Sequence, residues 1–344
     1  MIKINNRIIS LSSTPLIIPE IGINHSGRLE NAIKIVDAAK RAGAEIIKHQ
    51  THAIDDEMSI EAKRIKPGNS NKDIFSIIKN NSLSYEDEYK LFKYVKSKKM
   101  IYLSTPFSKN AVDRLVRFGV TAFKVGSGEM SNFPLLDHIV KQKKNLIVST
   151  GLHTLSQVKK TYKFLKDRKA RFALLHTTNI YPCKDKYLRL ESLNQLKKKF
   201  PDTVIGLSDH TGDLLSSYVG LALGAKIIEK HFIYKKKVKG PDISSSIDEK
   251  QLKELIYNSK RISLQMKGNK NILLKEEEVT RNFAFASVVS TNEIPKGKKL
   301  TLSNLSVMRP GNGDFKSFQL KKLIGKVSTR IIKKNKQIKK NDFK

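Results

Sequence analysis

Two histidines end segments that have the pattern of neighbouring β-strands, and their spacing suits a shared metal ion. His210 closes the run VIGLSDH and His231 closes KIIEKHF. Adjacent parallel strands lie about 4.8 Å apart, so two imidazoles at matching heights can bind one divalent cation. Two His ligands leave coordination positions for water or substrate oxygens, which suits Lewis-acid chemistry. Spacing alone leaves open the alternative that each is a hydrogen-bonded histidine at a strand end.

Lysines and serines in other strands and turns indicate a site for an anion. Lys48 lies in AEIIKHQ and Lys124 in AFKVGSG, and a lysine in an otherwise apolar strand is costly unless it is paired or faces a ligand. Ser127, Ser149 and Ser208 stand in turns of small residues, where hydroxyl and backbone N–H groups can bind oxyanions. One such serine is more often a plain turn residue, but the combination predicts a phosphate or carboxylate site.

Carboxylates and other polar residues occupy the same strand ends. Glu20 follows LIIP, where a buried carboxylate is expensive without a role, and Glu129 follows a later strand. Asp209 and Glu229 could be structural partners of nearby Lys or His side chains. Polar residues that suit the hydroxyls of a sugar-like ligand, although each alone carries little signal, are Gln50, Asn69, Asn179, Tyr181 and Asp242.

The elements that must position these residues alternate regularly between two kinds. Short β-branched apolar runs predict strands over 16–22, 44–50, 101–107, 122–128, 146–151, 172–177, 204–210 and 226–232. Amphipathic stretches predict helices over 29–42, 84–99, 109–118, 155–165, 190–200 and 248–266. Strands that are apolar on both faces and alternate with helices indicate a parallel sheet of the α/β class.

Eight such strand units in about 250 residues predict a closed (β/α)8 TIM barrel. A doubly wound open sheet is the main alternative, but no G-x-G-x-x-G turn follows the first strand, where EIGINHSG stands instead. In a barrel the carboxyl ends of all strands meet at one rim, which is where such enzymes keep their active sites. The polar strand ends are therefore expected to form one site.

The pattern changes after Gly268. A polar connection leads to short apolar runs separated by Pro-Lys-Gly and Pro-Gly-Asn-Gly turns. We predict a catalytic barrel over 1–268, a linker over 269–282 and a small β-rich domain over 283–344. A domain of that size buries little core by itself and is expected to dock on something.

The composition limits the classes of function. The chain of 344 residues has 66 Lys and Arg against 32 Asp and Glu, a net charge of +34, which raises the alternative of a polyanion-binding protein. Only 13 of the 66 are Arg, and the lysines are scattered along the chain, whereas nucleic-acid sites concentrate Arg and aromatic residues. We therefore expect no specific nucleic-acid partner.

The cysteine count and the hydropathy pattern indicate the cellular compartment in which the protein works. The single Cys183 excludes a disulfide framework within the chain and any Cys-cluster metal site. No apolar run approaches the roughly 20 residues that a membrane span needs, and the first residues lack a signal-peptide pattern. A cytoplasmic protein without a membrane partner is expected.

The motifs together resemble those of the bacterial sialic acid synthases, which carry an antifreeze-like (β-clip) domain after a TIM barrel. The resemblance runs in register from about residue 15 to the C terminus. The motifs that carry it include EIGINHSG (20–27), KHQTH (48–52), FKVGSGE (123–129), HTTNIYP (176–182), GLSDHT (206–211), EKHF (229–232) and RPGNGDF (309–315).

The resemblance implies a metal-dependent condensation of phosphoenolpyruvate with N-acetylmannosamine, which gives N-acetylneuraminate and releases phosphate by C–O cleavage. It implies that His210 and His231 hold a divalent cation, Mn²⁺ in most members, with Mg²⁺ or Co²⁺ as alternatives. Glu20 would handle protons and the attacking water. The residues implied to receive the phosphate and carboxylate of phosphoenolpyruvate are Lys48, Lys124, Ser127, Ser149, Asn179 and Ser208.

The resemblance also implies how the sugar binds. The open-chain amino sugar would contact Gln50, Asn69, Glu129, Tyr181 and Asp242. Arg309 would reach the acyl group of the sugar from the antifreeze-like domain of a partner subunit, which requires a domain-swapped homodimer.

Three segments near the implied sugar site depart from the usual motifs. SNFP follows GSGEM, the loop after HTTN reads IYPCKDKYLRL, and SSSID follows GPDI. These departures concern the substituents of the sugar more than the reaction. The alternative substrate is a diacetamido-deoxy sugar of the legionaminic or pseudaminic acid type.

Overall fold

The chain divides into two compact units, Met1–Lys267 and Gly268–Lys344. The computed structural model describes residues 1–67, 71–238, 240 and 242–344. The strands are β1 (Ile2–Ile4), β2 (Arg7–Ile9), β3 (Leu16–Glu20), β4 (Ile46–Thr51), β5 (Ile101–Pro106), β6 (Ala122–Val125), β7 (Asn145–Ser149), β8 (Phe172–Thr177), β9 (Val204–Asp209), β10 (Ile227–His231), β11 (Ser287–Ser290) and β12 (Leu305–Met308).

The first unit is built on a sheet of parallel strands. Within the described residues, eight strands pair in the order β5-β4-β3-β10-β9-β8-β7-β6. The two edge strands of this order, β5 and β6, also contact each other, which brings the sheet round into a barrel. Strands β3, β8 and β9 are buried along their whole length, as expected for strands covered on both faces. The predicted TIM barrel is confirmed.

Helices cover the outside of this sheet. They are α1 (Leu29–Arg41), α2 (Ile54–Glu57), α3 (Ile74–Asn81), α4 (Tyr85–Ser97), α5 (Lys109–Phe118), α6 (Phe133–Lys141), α7 (Leu155–Asp167), α8 (Ser192–Lys199), α9 (Leu215–Ala222) and α10 (Glu249–Gln265), with α11 (Glu278–Ala284) and α12 (Leu320–Leu323) in the second unit. Thr154 and Asp248 each begin a helix with a capping box, which satisfies backbone N–H groups of the first turn. Among the described residues, no helix has the length and apolar character needed to cross a membrane.

The interior of the barrel is closed at one end by an amino-terminal hairpin. β1 and β2 pair in antiparallel fashion. Their side chains Ile2, Ile4 and Ile9 are fully buried in one cluster with interior residues of the barrel strands, such as Ile147 and Val204. The sequence analysis did not predict this hairpin, because two strands of three residues give no periodic signal.

The second unit is small and has its own core. β11 and β12 pair in antiparallel fashion, and further single bridges link Ile294 to Ile332 and Val289 to Gln337. Its core is formed by Val288, Ile294, Leu300, Leu305, Leu323, Ile332 and Ile338. The predicted β-rich domain is confirmed. The segment predicted as a linker lies within this unit and contains a 3₁₀ turn, Lys275–Glu277, and most of α11.

Candidate functional site

The carboxyl ends of the barrel strands surround a cavity of about 160 Å³. Most of the predicted site residues line it, because each ends a strand or stands in the turn that follows. The lining consists of Glu20, Lys48, Gln50, Thr105, Phe107, Lys124, Gly126, Ser127, Gly128, Ser149, Thr177, Asn179, Tyr181, Ser208, His210, Glu229 and His231. The structure therefore brings together residues that lie as much as 211 positions apart.

Two lysines and two carboxylates form a buried charge cluster in this cavity. Lys48 forms an ion pair with Glu20, and Glu229 Oε1 lies 3.9 Å from Lys48 Nζ and 3.8 Å from Lys124 Nζ. Burial lowers the pKa of Lys124 to about 8, against the attraction of Glu229. Burial opposes ionisation of Glu229, yet Lys124 and Lys48 hold its pKa below the usual range. The cluster is thus charged and compact, and both ammonium groups face the cavity.

Several polar atoms in the cavity are buried without a hydrogen-bond partner among the described residues. They are Glu20 Oε1, Ser127 Oγ, Asn179 Oδ1, Glu229 Oε2 and His231 Nδ1. A buried donor or acceptor without a partner costs about 1–3 kcal/mol, so such atoms seldom collect in one place without a ligand to satisfy them. The carboxylate and amide oxygens among them accept hydrogen bonds, so they suit the hydroxyl or N–H groups of a ligand. The Ser127 hydroxyl and the ammonium groups of Lys48 and Lys124 can bind an anion.

The turn after β7 permits this close approach because it contains a glycine. A Cβ at Gly151 would lie 1.9 Å from Asn179 Oδ1 and 2.8 Å from Ser127 Oγ. Ser149, two residues earlier, accepts a hydrogen bond of 2.6 Å from Lys124 Nζ. At the STG turn identified in the sequence, polar side chains from the ends of β6, β7 and β8 therefore lie close together. They are Ser127, Ser149 and Asn179.

His210 and His231 lie side by side, with ring centroids 5.5 Å apart. His210 Nδ1 donates to the backbone oxygen of Thr178 at 2.8 Å, which leaves Nε2 as the acceptor of the neutral ring. Burial and the neighbouring His231 lower the pKa of His210 to about 3. Tyr181 packs over the His210 ring at 4.2 Å, and Asp242 Oδ2 lies 3.7 Å from His231 Nδ1.

A neutral imidazole with a free nitrogen is the form that ligates a metal, so the pair fits a divalent cation. Among the described residues, no group of three or more His, Cys, Asp or Glu side chains is arranged to hold a metal. A cation bound by these two histidines would take its other ligands from water and substrate.

A second cavity of about 550 Å³ adjoins the first and shares Gln50, Tyr181 and His231 with it. Its remaining lining is Ile23, Pro67, Lys72, Ile74, Ile77, Ile78, Asn81 and Asp242. Three of these isoleucines belong to α3, which the sequence analysis did not predict. The signal that could have found α3 is Asp73, which caps the helix by accepting from Ser76 N.

The remaining predicted residues have different surroundings. Gln50 Oε1 lies 3.3 Å from His52 Nε2. Glu129 accepts from Asn132 Nδ2 at 2.6 Å, partial burial raises its pKa, and it is not in the described lining of either cavity. Arg309 is an exposed residue of the second unit. Asn69 lies outside the described residues.

Glu229 lines the cavity, whereas the sequence analysis considered it only as a structural partner of nearby Lys or His side chains. It lies two residues before His231 on the same strand, so alternation along β10 directs both to the cavity. Asp209 and Lys230 face the other side of the sheet, where they pair with each other at 2.9 Å.

Comparison with known proteins gives a consistent result. Residues 35–271 match the NeuB family, and residues 285–344 match the SAF domain. The chain is 32% identical to N,N'-diacetyllegionaminic acid synthase of Campylobacter jejuni, over 94% of this chain and 98% of the relative. It is 29% identical to human N-acetylneuraminate-9-phosphate synthase, over 85% and 82%.

Solved structures agree with these sequence relatives. N-acetylneuraminic acid (sialic acid) synthetase from Leptospira borgpetersenii, in complex with citrate, superposes with a TM-score of 0.74 and 26% identity, covering 81% of this chain and 94% of that one. The resemblance read from the motifs is thereby confirmed at the level of the family. The chain belongs to the NeuB family, a family of sialic, legionaminic and pseudaminic acid synthases, and is an enzyme.

Proposed function

We propose that this enzyme condenses phosphoenolpyruvate with N-acetylmannosamine, releasing phosphate and N-acetylneuraminate. The observation that carries the proposal is the juxtaposition of two buried lysines and an unpartnered serine hydroxyl with the neutral imidazole of His210, which lies beside His231. The first group of side chains suits the phosphate and carboxylate of phosphoenolpyruvate. The second suits the polarised aldehyde of an open-chain sugar.

Binding of phosphoenolpyruvate is assigned to Lys48, Lys124, Ser127, Ser149, Asn179 and Ser208. The ammonium groups of Lys48 and Lys124 neutralise part of the anion, and the unpartnered Ser127 hydroxyl supplies a directed hydrogen bond. Asn179 Nδ2, which donates to Tyr181 at 3.4 Å, would have to turn to the anion to donate to it. Because these groups are already buried, little solvent reorganisation accompanies binding. The same groups then stabilise the departing phosphate.

The reaction forms a bond between C3 of the enol phosphate and the aldehyde carbon of the sugar. When bound by His210 and His231, a divalent cation, with Mn²⁺ proposed and Mg²⁺ or Co²⁺ as alternatives, supplies Lewis-acid polarisation of that aldehyde. Positive charge develops at C2, in a cavity lined by Glu20 and Glu229. Glu20 accepts a proton from the water that adds to C2 and returns it to the alkoxide formed from the aldehyde oxygen. The bond between C2 and the bridging oxygen then breaks, the remaining hydroxyl proton passes to the departing phosphate, and C2 becomes the ketone carbon.

The sugar is assigned to Gln50, Asn69, Glu129, Tyr181 and Asp242. Three of these, Gln50, Tyr181 and Asp242, line the larger cavity beside His231. The proposal includes a domain-swapped homodimer in which Arg309 of the partner subunit contacts the acyl group. Closing the rim in this way would keep bulk water from the reactive intermediate.

One observation favours a second candidate substrate. Ile74, Ile77 and Ile78, together with Ile23, give the larger cavity an apolar wall. A hydroxyl pressed against this wall loses hydrogen bonds to water, whereas a methyl or N-acetyl group gains from its own burial. A 2,4-diacetamido-6-deoxy sugar, the precursor type for legionaminic acid, would present such groups.

Product identification tests both candidates. The purified enzyme is incubated with Mn²⁺, phosphoenolpyruvate and, in parallel, N-acetylmannosamine, its 6-phosphate and the diacetamido-deoxy sugar. Mass spectrometry identifies the nonulosonic acid, and phosphate release gives the rates. The highest kcat/KM with N-acetylmannosamine supports the proposal, and higher turnover of the diacetamido-deoxy sugar replaces it with the second candidate. Absence of phosphate release with every sugar would contradict the proposed reaction.

A further inference from the structure

An ion pair on the outer face of the sheet directly precedes the two candidate metal ligands. Asp209 and Lys230 are register partners on β9 and β10, and each stands one residue before a histidine of the site. Because side chains alternate along a strand, Ser208 and Glu229 line the cavity, Asp209 and Lys230 face outward, and the histidines face the cavity again. The side chains of both Asp209 and Lys230 are completely buried.

The Asp209 carboxylate has hydrogen-bond donors on both oxygens. Oδ2 lies 2.9 Å from Lys230 Nζ and accepts from Ser216 Oγ and Ser217 Oγ, each at 2.6 Å. Oδ1 accepts from the backbone N–H and the hydroxyl of Thr211, each at 2.9 Å. The Thr211 hydroxyl in turn accepts from Lys230 Nζ at 2.7 Å. Both oxygens of the buried Asp209 carboxylate are therefore satisfied, and Lys230 Nζ donates to Asp209 and Thr211. Buried, satisfied polar networks of this kind fix a definite geometry.

These bonds enclose His210 in a turn and connect that turn to the strand of His231. The bond from Thr211 N to Asp209 spans His210, as in an Asx turn, so it fixes the backbone that carries the imidazole. The ion pair to Lys230 fixes the same turn against β10, one residue from His231. The outer cluster thus constrains the backbone on both sides of the imidazole pair.

Stability alone is a weak explanation for this arrangement. Burying two charges costs desolvation energy that largely cancels their attraction, and well-packed apolar pairs are often as stable. Hydrogen bonds and ion pairs, in contrast, fix the distances between the groups they join more strictly than apolar packing does. A metal site requires ligand positions held to within about 0.5 Å. The buried ion pair and its hydrogen bonds are suited to that task.

We propose that Asp209 and Lys230 are positioning residues that set the separation and orientation of His210 and His231, and so the affinity of the site for a divalent cation. This inference rests on the metal site of the proposed function. Loss of a group that hydrogen-bonds a metal ligand directly typically weakens metal binding about 10–100-fold. Asp209 and Lys230 act on the imidazoles through the backbone, so we expect a loss at the lower end of that range, at least about tenfold, for Asp209→Asn and Lys230→Met.

The test measures Mn²⁺ binding to the whole enzyme without substrates, by electron paramagnetic resonance of free Mn²⁺, together with thermal unfolding. Glu88→Gln is the matched control, since Glu88 is an equally buried carboxylate that accepts from Tyr102 at 3.1 Å and pairs with Arg114 at 3.0 Å. Binding at least tenfold weaker in Asp209→Asn, and unchanged within twofold in the control, supports the proposal. Binding within twofold of wild type in Asp209→Asn overturns it.

The double variant Asp209→Leu/Lys230→Met separates positioning from stability, because an apolar pair leaves no buried charge unpaired. If its melting temperature recovers relative to the single variants while Mn²⁺ binding stays weak, the proposal is supported. If both recover together, the pair is structural and the proposal fails. A wild-type enzyme that binds no Mn²⁺ removes the metal from the proposed function. In that case crystal structures decide, and imidazoles that move less than about 0.5 Å in the double variant overturn the positioning role.

Discussion

Lys124 shows how burial tunes a single residue for anion binding. Its ammonium group lies 3.8 Å from Glu229 and donates to Ser149. Burial outweighs the attraction of Glu229 and lowers the pKa of Lys124 to about 8. A lysine with an ordinary pKa would stay charged throughout the physiological range. Lys124 instead changes charge just above it, so anion binding becomes sensitive to pH.

We expect kcat/KM for phosphoenolpyruvate to fall as the pH rises above about 8. The charged form that binds the anion is present below the pKa of Lys124 and is lost above it, at about tenfold per pH unit once the ammonium is mostly deprotonated. Steady-state kinetics from pH 6 to 10 measure this profile. Lys124→Met provides the comparison: a profile with the same descending limb in that variant would show that another group is responsible.

The histidine pair gives a second prediction for single residues. His210→Ala and His231→Ala each remove one of two imidazoles proposed to hold the cation, so metal-dependent turnover should drop by at least about 100-fold, with the fold retained. His138→Ala, a change in a histidine of α6 that pairs with Asp113, serves as the control. Phosphate release with and without a chelator measures the effect. Full activity in the chelator-treated wild type would contradict a metal role.

At the scale of elements, the turns after the strands decide which polar groups meet. The turn at Gly151 lets Asn179 and Ser127 approach from neighbouring strand ends, at distances where a Cβ would overlap the Asn179 amide. The barrel strands are the scaffold, and this turn determines the shape of the proposed phosphate site. Its effect on function should therefore be separable from its effect on folding.

Gly151→Ala is expected to raise KM for phosphoenolpyruvate about tenfold, because the methyl group displaces Asn179 and Ser127 from the cavity. Such a change corresponds to about 1.4 kcal/mol. Gly128→Ala is the matched control, since Gly128 lines the same cavity but an added Cβ there meets nothing within 4 Å. Kinetics and thermal melts of both variants test the prediction. Equal KM values in the two variants would argue against it.

The same scale explains how far the sequence allowed prediction. The barrel strands were predictable because β-branched and other apolar residues lead into polar ones at the carboxyl end, as Ile227 and Ile228 lead into Glu229, Lys230 and His231. Helix α3 was missed although Ile74, Ile77 and Ile78 recur at helical spacing, because it covers only eight residues in a polar stretch and only Ile77 of them is buried. The apolar wall of the larger cavity was missed with it. Glu229 and His231 are alternate residues of β10, so the sequence already placed them on the same face of the strand. Which face of β10 points to the cavity became known only from the structure.

At the scale of the whole molecule, the charge is the dominant feature. A net charge of +34 creates a field that attracts anionic substrates from a distance. The lysines that produce it are scattered along the chain. The field therefore adds to the encounter with phosphoenolpyruvate without specifying where it binds.

Salt should therefore affect the two substrates differently. Raising KCl from about 50 mM to about 500 mM shortens the screening length below 5 Å, so KM for phosphoenolpyruvate should rise several-fold. KM for the uncharged sugar should change little, which makes the sugar the internal control. Steady-state kinetics at constant pH measure both values. Equal increases for the two substrates would point to a general effect of salt on the enzyme.

The amino-terminal hairpin has a consequence for how this chain is made. Ile2, Ile4 and Ile9 share one buried cluster with Val204 and Ile227, which are synthesised at least 195 positions later. The apolar side chains of β1 and β2 therefore stay exposed until β9 and β10 have been synthesised. The hairpin reaches its buried position only after the last barrel strands are available to pack against it.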